Sequence, residues 1–106
     1  CGADCVNTAR GYMFSLGCIQ ALRCHQNSCP TGIATHVPRL QRGLVVENKA
    51  ERVAAYTRNL NKEVEMIAHA CGLGHPRLLR REHVRIVQPN GQSVALNMLY
   101  PYPPIR

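Results

Sequence analysis

A chain of 106 residues fits one small domain or a fragment of a larger one, and one Phe, four Tyr and no Trp leave little large apolar surface for a core of its own. Thirteen Lys and Arg against six Asp and Glu give a formal charge of +7, but the cations are spread along the chain. The densest cluster, Arg77, Arg80, Arg81, His83 and Arg85, has no interleaved aromatics to stack on bases, so a solvated basic face is expected and no nucleic acid.

No run approaches the ~20 apolar residues of a membrane-spanning helix, so no membrane partner is evident in these residues, while an anchor elsewhere in a longer protein stays open. Six Cys with no signal peptide, in a chain with a long helix, point to a reducing cytoplasm and a metal site rather than a secreted disulfide scaffold. The chain opens at Cys1-Gly2-Ala3-Asp4 without an initiator Met, on the approach to a buried strand. It therefore reads as a fragment whose hydrophobic partners lie upstream and which is poorly stable alone.

Residues 5–9, Cys-Val-Asn-Thr-Ala, suit a short buried strand that Arg10-Gly11 breaks. Residues 12–22 then predict a helix, with Phe14, Cys18 and Leu22 at i, i+4 and i+8, and Leu16, Ile19 and Ala21 making it apolar almost all round. Residues 23–44 read as a long irregular segment, which in a compact domain is usually functional and needs something to fix it. The clearest helix is 46–71. Val46, Ala50, Val53, Thr57, Leu60, Val64, Ile67 and Cys71 recur in steps of four and three, and Gly72 and Gly74 supply the stop. Its seam reads as packing on a neighbouring domain or as a dimer contact. Pro76 opens a short helix over 76–82, 84–87 is a strand, Pro89-Asn90-Gly91 a turn, and 94–99 a second apolar run. The Pro-rich tail from Tyr100 has no regular structure and is extended or disordered.

Cys18, Cys24 and Cys29 stand in a C-x5-C-x4-C pattern with Pro30 directly after the last. Thiolates are the soft ligands of iron in sulfide clusters, Pro30 stiffens the exit, and Gly32 permits close backbone approach. The spacing leaves three readings open: an iron–sulfur cluster, a zinc site with His25 as fourth ligand, and buried or redox-active thiols. Zinc sites usually pair ligands two to four residues apart, and His25 on its own reads as a hydrogen bonder to a ligand. Cys1, Cys5 and Cys71 lack a metal spacing and read as small core residues. Asp4 has no paired carboxylate and reads as a loop or cap residue. His36, His69, His75 and His83 form no ligand pair.

The run Gly17-Cys18-Ile19-Gln20-Ala21-Leu22-Arg23-Cys24-His25-Gln26-Asn27-Ser28-Cys29-Pro30-Thr31-Gly32-Ile33-Ala34-Thr35 resembles the cluster loop of glutamate synthases. There a C-x5-C-H-x-N-x-C-P-x-G-[IV]-A-T pattern ligates a three-iron, four-sulfur (3Fe-4S) cluster, which here implies Cys18, Cys24 and Cys29 as metal ligands. Ala9-Arg10-Gly11, Arg42-Gly43-Leu44 and Lys49-Ala50-Glu51-Arg52-Val53 look more like the shorter FMN-binding members than the large synthase subunit. The resemblance covers residues 1–85.

It implies an α/β fold, with the chain at the carboxy-terminal edge of a (β/α)8 TIM barrel. Residues 1–22 would be the last βα unit, 23–44 the cluster loop, 45–87 a helical extension and 88–106 a tail. In such barrels the FMN phosphate sits by the last loops and a helix amino terminus, which makes Ala9, Arg10 and Gly11 the phosphate candidates. The implied parent is a cytoplasmic oxidoreductase that reduces 2-iminoglutarate, made from 2-oxoglutarate and ammonia or glutamine nitrogen, to L-glutamate. Its cluster passes electrons to FMN. Implied partners are the rest of the barrel and an electron source, whether a donor protein, reduced nicotinamide or ferredoxin. No catalytic residue is assigned to this chain, and the 106 residues alone should not turn over. Competing readings are another FMN and iron–sulfur oxidoreductase of the superfamily, or a small zinc- or cluster-binding interaction module.

Overall fold

The computed structural model describes Ala3 and residues 5–104; Cys1, Gly2, Asp4, Ile105 and Arg106, and with them the readings placed on Cys1 and Asp4, lie outside the described residues. Two compact units result, one of Asn7–Asn61 and one that holds residues 62–104.

Residues 5–9 make no strand pairing, and in Asn7–Asn61 helix α1 spans only Arg10–Ser15. The helix predicted to run on to Leu22 stops early because Gly17, at φ +99°, turns left-handed. Its N–H reaches the Phe14 carbonyl at 2.9 Å and that of Cys18 reaches the Met13 carbonyl at 2.9 Å, the two bonds of a Schellman ending. Gln20 (φ 55°) and Leu22 (φ 56°) are also left-handed, so the apolar Ile19 and Leu22 continue as loop, 66% and 81% exposed.

The segment 23–44 is less irregular than its composition predicts. A 3-10 turn covers Cys24–Gln26, and helix α2 covers Pro38–Gln41 with Pro38 in its first turn. Between them Asn27, left-handed at φ 56°, accepts from the His36 N–H at 2.6 Å and the Thr35 hydroxyl at 3.2 Å through its side-chain oxygen. Thr35, 8% exposed, also bonds the Asn27 carbonyl at 2.7 Å and accepts from the Val37 N–H at 3.1 Å. Gln41 closes the loop on the Thr35 carbonyl at 3.0 Å. A metal is therefore not the sole means of fixing this segment: a side-chain hub does part of it.

Helix α3 spans Val46–Ala70, as its periodicity predicts. Val53, Thr57 and Leu60, in the middle of the seam, are half-buried, while Val46, Val64 and Ile67 are exposed. Tyr12 packs edge-on against Tyr56, ring centroids 5.0 Å apart, with its hydroxyl 3.3 Å from that of Thr57.

In the second unit α3 ends as α1 does. The Gly72 N–H (φ +76°) reaches the His69 carbonyl at 2.9 Å and the Leu73 N–H reaches that of Ala68 at 3.0 Å. The short helix expected over 76–82 is instead two 3-10 turns, Pro76–Leu78 and Arg81–His83, separated by extended backbone at Leu79 and Arg80. Imidazoles cap both, His75 Nδ1 accepting from the Arg77 N–H at 3.1 Å and His83 Nδ1 from the Arg80 N–H at 2.9 Å. Strands β1 (Arg85–Val87) and β2 (Ser93–Ala95) pair antiparallel, Ile86 opposite Val94. The second apolar run then turns into helix α4, Leu96–Leu99.

The tail is tied down at residues 100–102 rather than loose there. Arg81 donates to the Tyr100 and Pro101 carbonyls at 2.8 Å each, and its guanidinium lies 4.4 Å from the centre of the Tyr102 ring. Among the described residues the buried apolar side chains are only Cys29 and Ala68. Cys5 and Cys71, expected in a core, are exposed, Cys71 because it falls at the end of α3 just before the Gly72 turn.

Candidate metal centre

Cys18, Cys24 and Cys29 reach one place by three different local structures. The Schellman ending of α1 fixes the Cys18 backbone, the 3-10 turn carries Cys24, and Cys29 follows the Asn27 turn. All three line a single cavity of about 310 Å³, whose wall is completed mainly by apolar groups of Met13, Phe14, Ile19 and Leu22. The left-handed turn at Gln20 brings its N–H to the Cys18 sulfur at 3.5 Å.

Cys29 is 8% exposed, and its thiol is lowered from the usual 9.0 to about 7. The largest cause is the Thr31 hydroxyl, 3.3 Å from the sulfur, followed by the Ala34 backbone N–H; burial works against them, and the N–H groups of Thr31 and Ile33 add smaller contributions. The Cys-Pro-Thr-Gly-Ile-Ala turn is thus an anion nest closed around one sulfur. Gly32 (φ +81°) is essential to its shape, because a Cβ there would run into the Leu40 carbonyl of α2.

Of the phosphate candidates, Ala9 and Arg10 lie in the wall of this same cavity. Gly11 faces elsewhere: a Cβ on it would strike the Tyr56 hydroxyl, so the absence of a side chain serves the Tyr12–Tyr56 packing. His25 lines a second, more open cavity of about 740 Å³ with His36, Thr35 and Gln41, and Cys24 borders both. Its Nε2 lies 3.4 Å from the Gln26 amide nitrogen, and among the described residues it makes no bond to a cysteine sulfur. Among the described residues no three His, Cys, Asp or Glu side chains are gathered tightly enough to hold a single metal ion.

Composition and spacing exposed the three cysteines. They gave no hint of Thr31 and Ala34 as the groups that ionise Cys29, or of Thr35 as the buried hub. The one available signal was Asn27, a residue type tolerant of left-handed turns, eight residues before a Thr.

Cys18, Cys24 and Cys29 thus line one cavity, with the Cys29 thiol lowered to about 7 and the Cys18 sulfur receiving a backbone N–H, and cysteine thiolates are the soft ligands that iron–sulfur cores take. A family profile described as a conserved region in glutamate synthase matches residues 1–74, and the chain belongs to the glutamate synthase family. It is 45% identical over 98 residues to the glutamate synthase large subunit-like protein YerD of Bacillus subtilis, which covers 92% of this chain and 19% of that protein. To the archaeal glutamate synthase (NADPH) of Methanocaldococcus jannaschii it is 34% identical over 85 residues, 80% of this chain and 17% of the relative. To the glutamate synthase (NADH) of Schizosaccharomyces pombe it is 29% identical over 100 residues, 92% of this chain and 5% of the relative. The chain thus spans less than a fifth of the length of each of these relatives. No solved structure matches it. Among the described residues no helix is long and apolar enough to cross a membrane.

Proposed function

We propose that the chain is the thiolate-loop part of a glutamate synthase-type flavoprotein oxidoreductase, with Cys18, Cys24 and Cys29 holding a 3Fe-4S cluster. The parent protein forms L-glutamate from 2-oxoglutarate with ammonia or glutamine nitrogen. Residues 1–22 belong to the last βα unit of a (β/α)8 barrel, and Ala9, Arg10 and Gly11 lie at the edge of its FMN site. The observation that carries this reading is the shared cavity of the three cysteines.

When bound, the cluster would supply one-electron transfer and FMN the two-electron chemistry at the substrate. This chain's residues have defined parts in that arrangement. Thr31 and the Ala34 N–H favour the thiolate of Cys29, and the Gln20 N–H donates to the Cys18 sulfur. Phe14, Ile19 and Leu22 bring apolar surface to the cavity wall. Reduced nicotinamide is the electron source to test first, because two relatives carry NADPH or NADH in their names.

Iron and acid-labile sulfide in the purified full-length protein, with flavin absorbance bleached by glutamate or a reductant, are the expected results. Replacing Cys24 with Ser should remove cluster iron, while Cys71→Ser, outside the cavity, should spare it. Equal loss from both changes counts against the assignment. One zinc without sulfide makes the chain a metal-binding interaction module instead.

A further inference from the structure

Apart from Arg10 and Arg23, no charged side chain lines the cysteine cavity, and no carboxylate does. Among the described residues neither guanidinium is engaged in an ion pair or a side-chain hydrogen bond. Arg10 stands at the start of α1, on the side assigned above to the flavin. Arg23 has a different setting. It directly precedes Cys24 and follows a segment whose left-handed residues, Gln20 and Leu22, turn the backbone around the cavity wall.

Resting on the cluster reading above, we propose that Arg23 sets the electron affinity of the group held by Cys18, Cys24 and Cys29, its cation favouring the reduced form. The physical basis is charge. Three thiolates and inorganic sulfide leave an iron–sulfur core net negative, and a one-electron reduction deepens that charge without making or breaking a bond or moving a proton. A cation in the same wall therefore stabilises the reduced form more than the oxidised one. Arg23 is exposed on its other side, which keeps the effect modest.

The test compares the full-length protein with its Arg23→Gln and Arg23→Lys variants. Iron and acid-labile sulfide are measured, followed by a dithionite redox titration read by electron paramagnetic resonance. Arg23→Gln should keep its iron and shift the reduced-to-oxidised ratio at a given potential three- to tenfold toward oxidised, about 28 to 59 mV lower for a one-electron couple. Arg23→Lys, which keeps the charge, should titrate like the unmodified protein. Loss of iron from the Gln variant alone overturns the inference, because the cation then holds the group in place rather than setting its electron affinity. An unchanged or raised potential in Arg23→Gln overturns it, as does the same loss or the same shift in both variants. No iron and no sulfide in the unmodified protein overturns the cluster reading and this inference with it.

Discussion

Each of the two units is tied together at a polar centre, and the centres differ in how much water they see. In Asn7–Asn61 the centre is the Asn27–Thr35 pair, with Thr35 almost fully buried. In the other it is Arg81, half-buried and binding an exposed tail. A bond broken in the first leaves a donor or acceptor stranded without water, whereas in the second water takes the vacated place. The cysteine loop should therefore be the brittle region and the tail the forgiving one.

Glycine gives the sharpest contrast. Gly32 and Gly72 have nearly the same left-handed φ, +81° and +76°, yet a Cβ on Gly32 meets the Leu40 carbonyl while one on Gly72 meets nothing within 4 Å. Gly32→Ala should cost about 2–5 kcal/mol, left-handed strain plus a backbone collision, and Gly72→Ala only the strain, about 1–2 kcal/mol. Hydrogen exchange in the full-length protein reads each unit separately, and equal losses would break the contrast.

Thr35→Val keeps the shape and removes the hydroxyl, leaving the Val37 N–H and the Asn27 carbonyl without their partner. A loss of about 1–3 kcal/mol is expected, with faster exchange across 27–41. Arg81→Met should cost about 1 kcal/mol or less and act locally, making the backbone after Tyr100 accessible to limited proteolysis while exchange in Asn7–Asn61 stays unchanged.

Near neutral pH the smallest effect is that of Cys29 ionisation. Because folding lowers the Cys29 thiol from 9.0 to about 7, its contribution to stability is complete above 9.0 and is lost as the pH falls through about 7. In protein stripped of metal, alkylation of Cys29 should rise with a midpoint near 7, and Thr31→Val should move that midpoint upward. An unmoved midpoint would remove Thr31 as the main cause.

Periodicity made α3 legible, because 25 residues average out individual exceptions, and Gly72 marked its end. The same reasoning failed over residues 12–22. Ile19 and Leu22 continue an apolar pattern there, and only the hydrogen bonds of Gly17 and Cys18 show the chain already turned. Residues 5–9 have the composition of a strand but no strand beside them to pair with among the described residues, and backbone pairing, not composition, makes a strand. The metal candidates could be read from cysteine spacing. The groups that tune them could not, since Thr31, Ala34 and Arg23 act through where the backbone turns place them.

The glycine that halts α1 has a second effect. Continuing the helix by a single residue would swing the next side chain about 100° around the axis. Cys18 would then leave the position from which it lines the hollow it shares with Cys24 and Cys29. Where the helix stops and where the first cysteine is set down are thus one specification written at Gly17, and a mutation that alters either changes both.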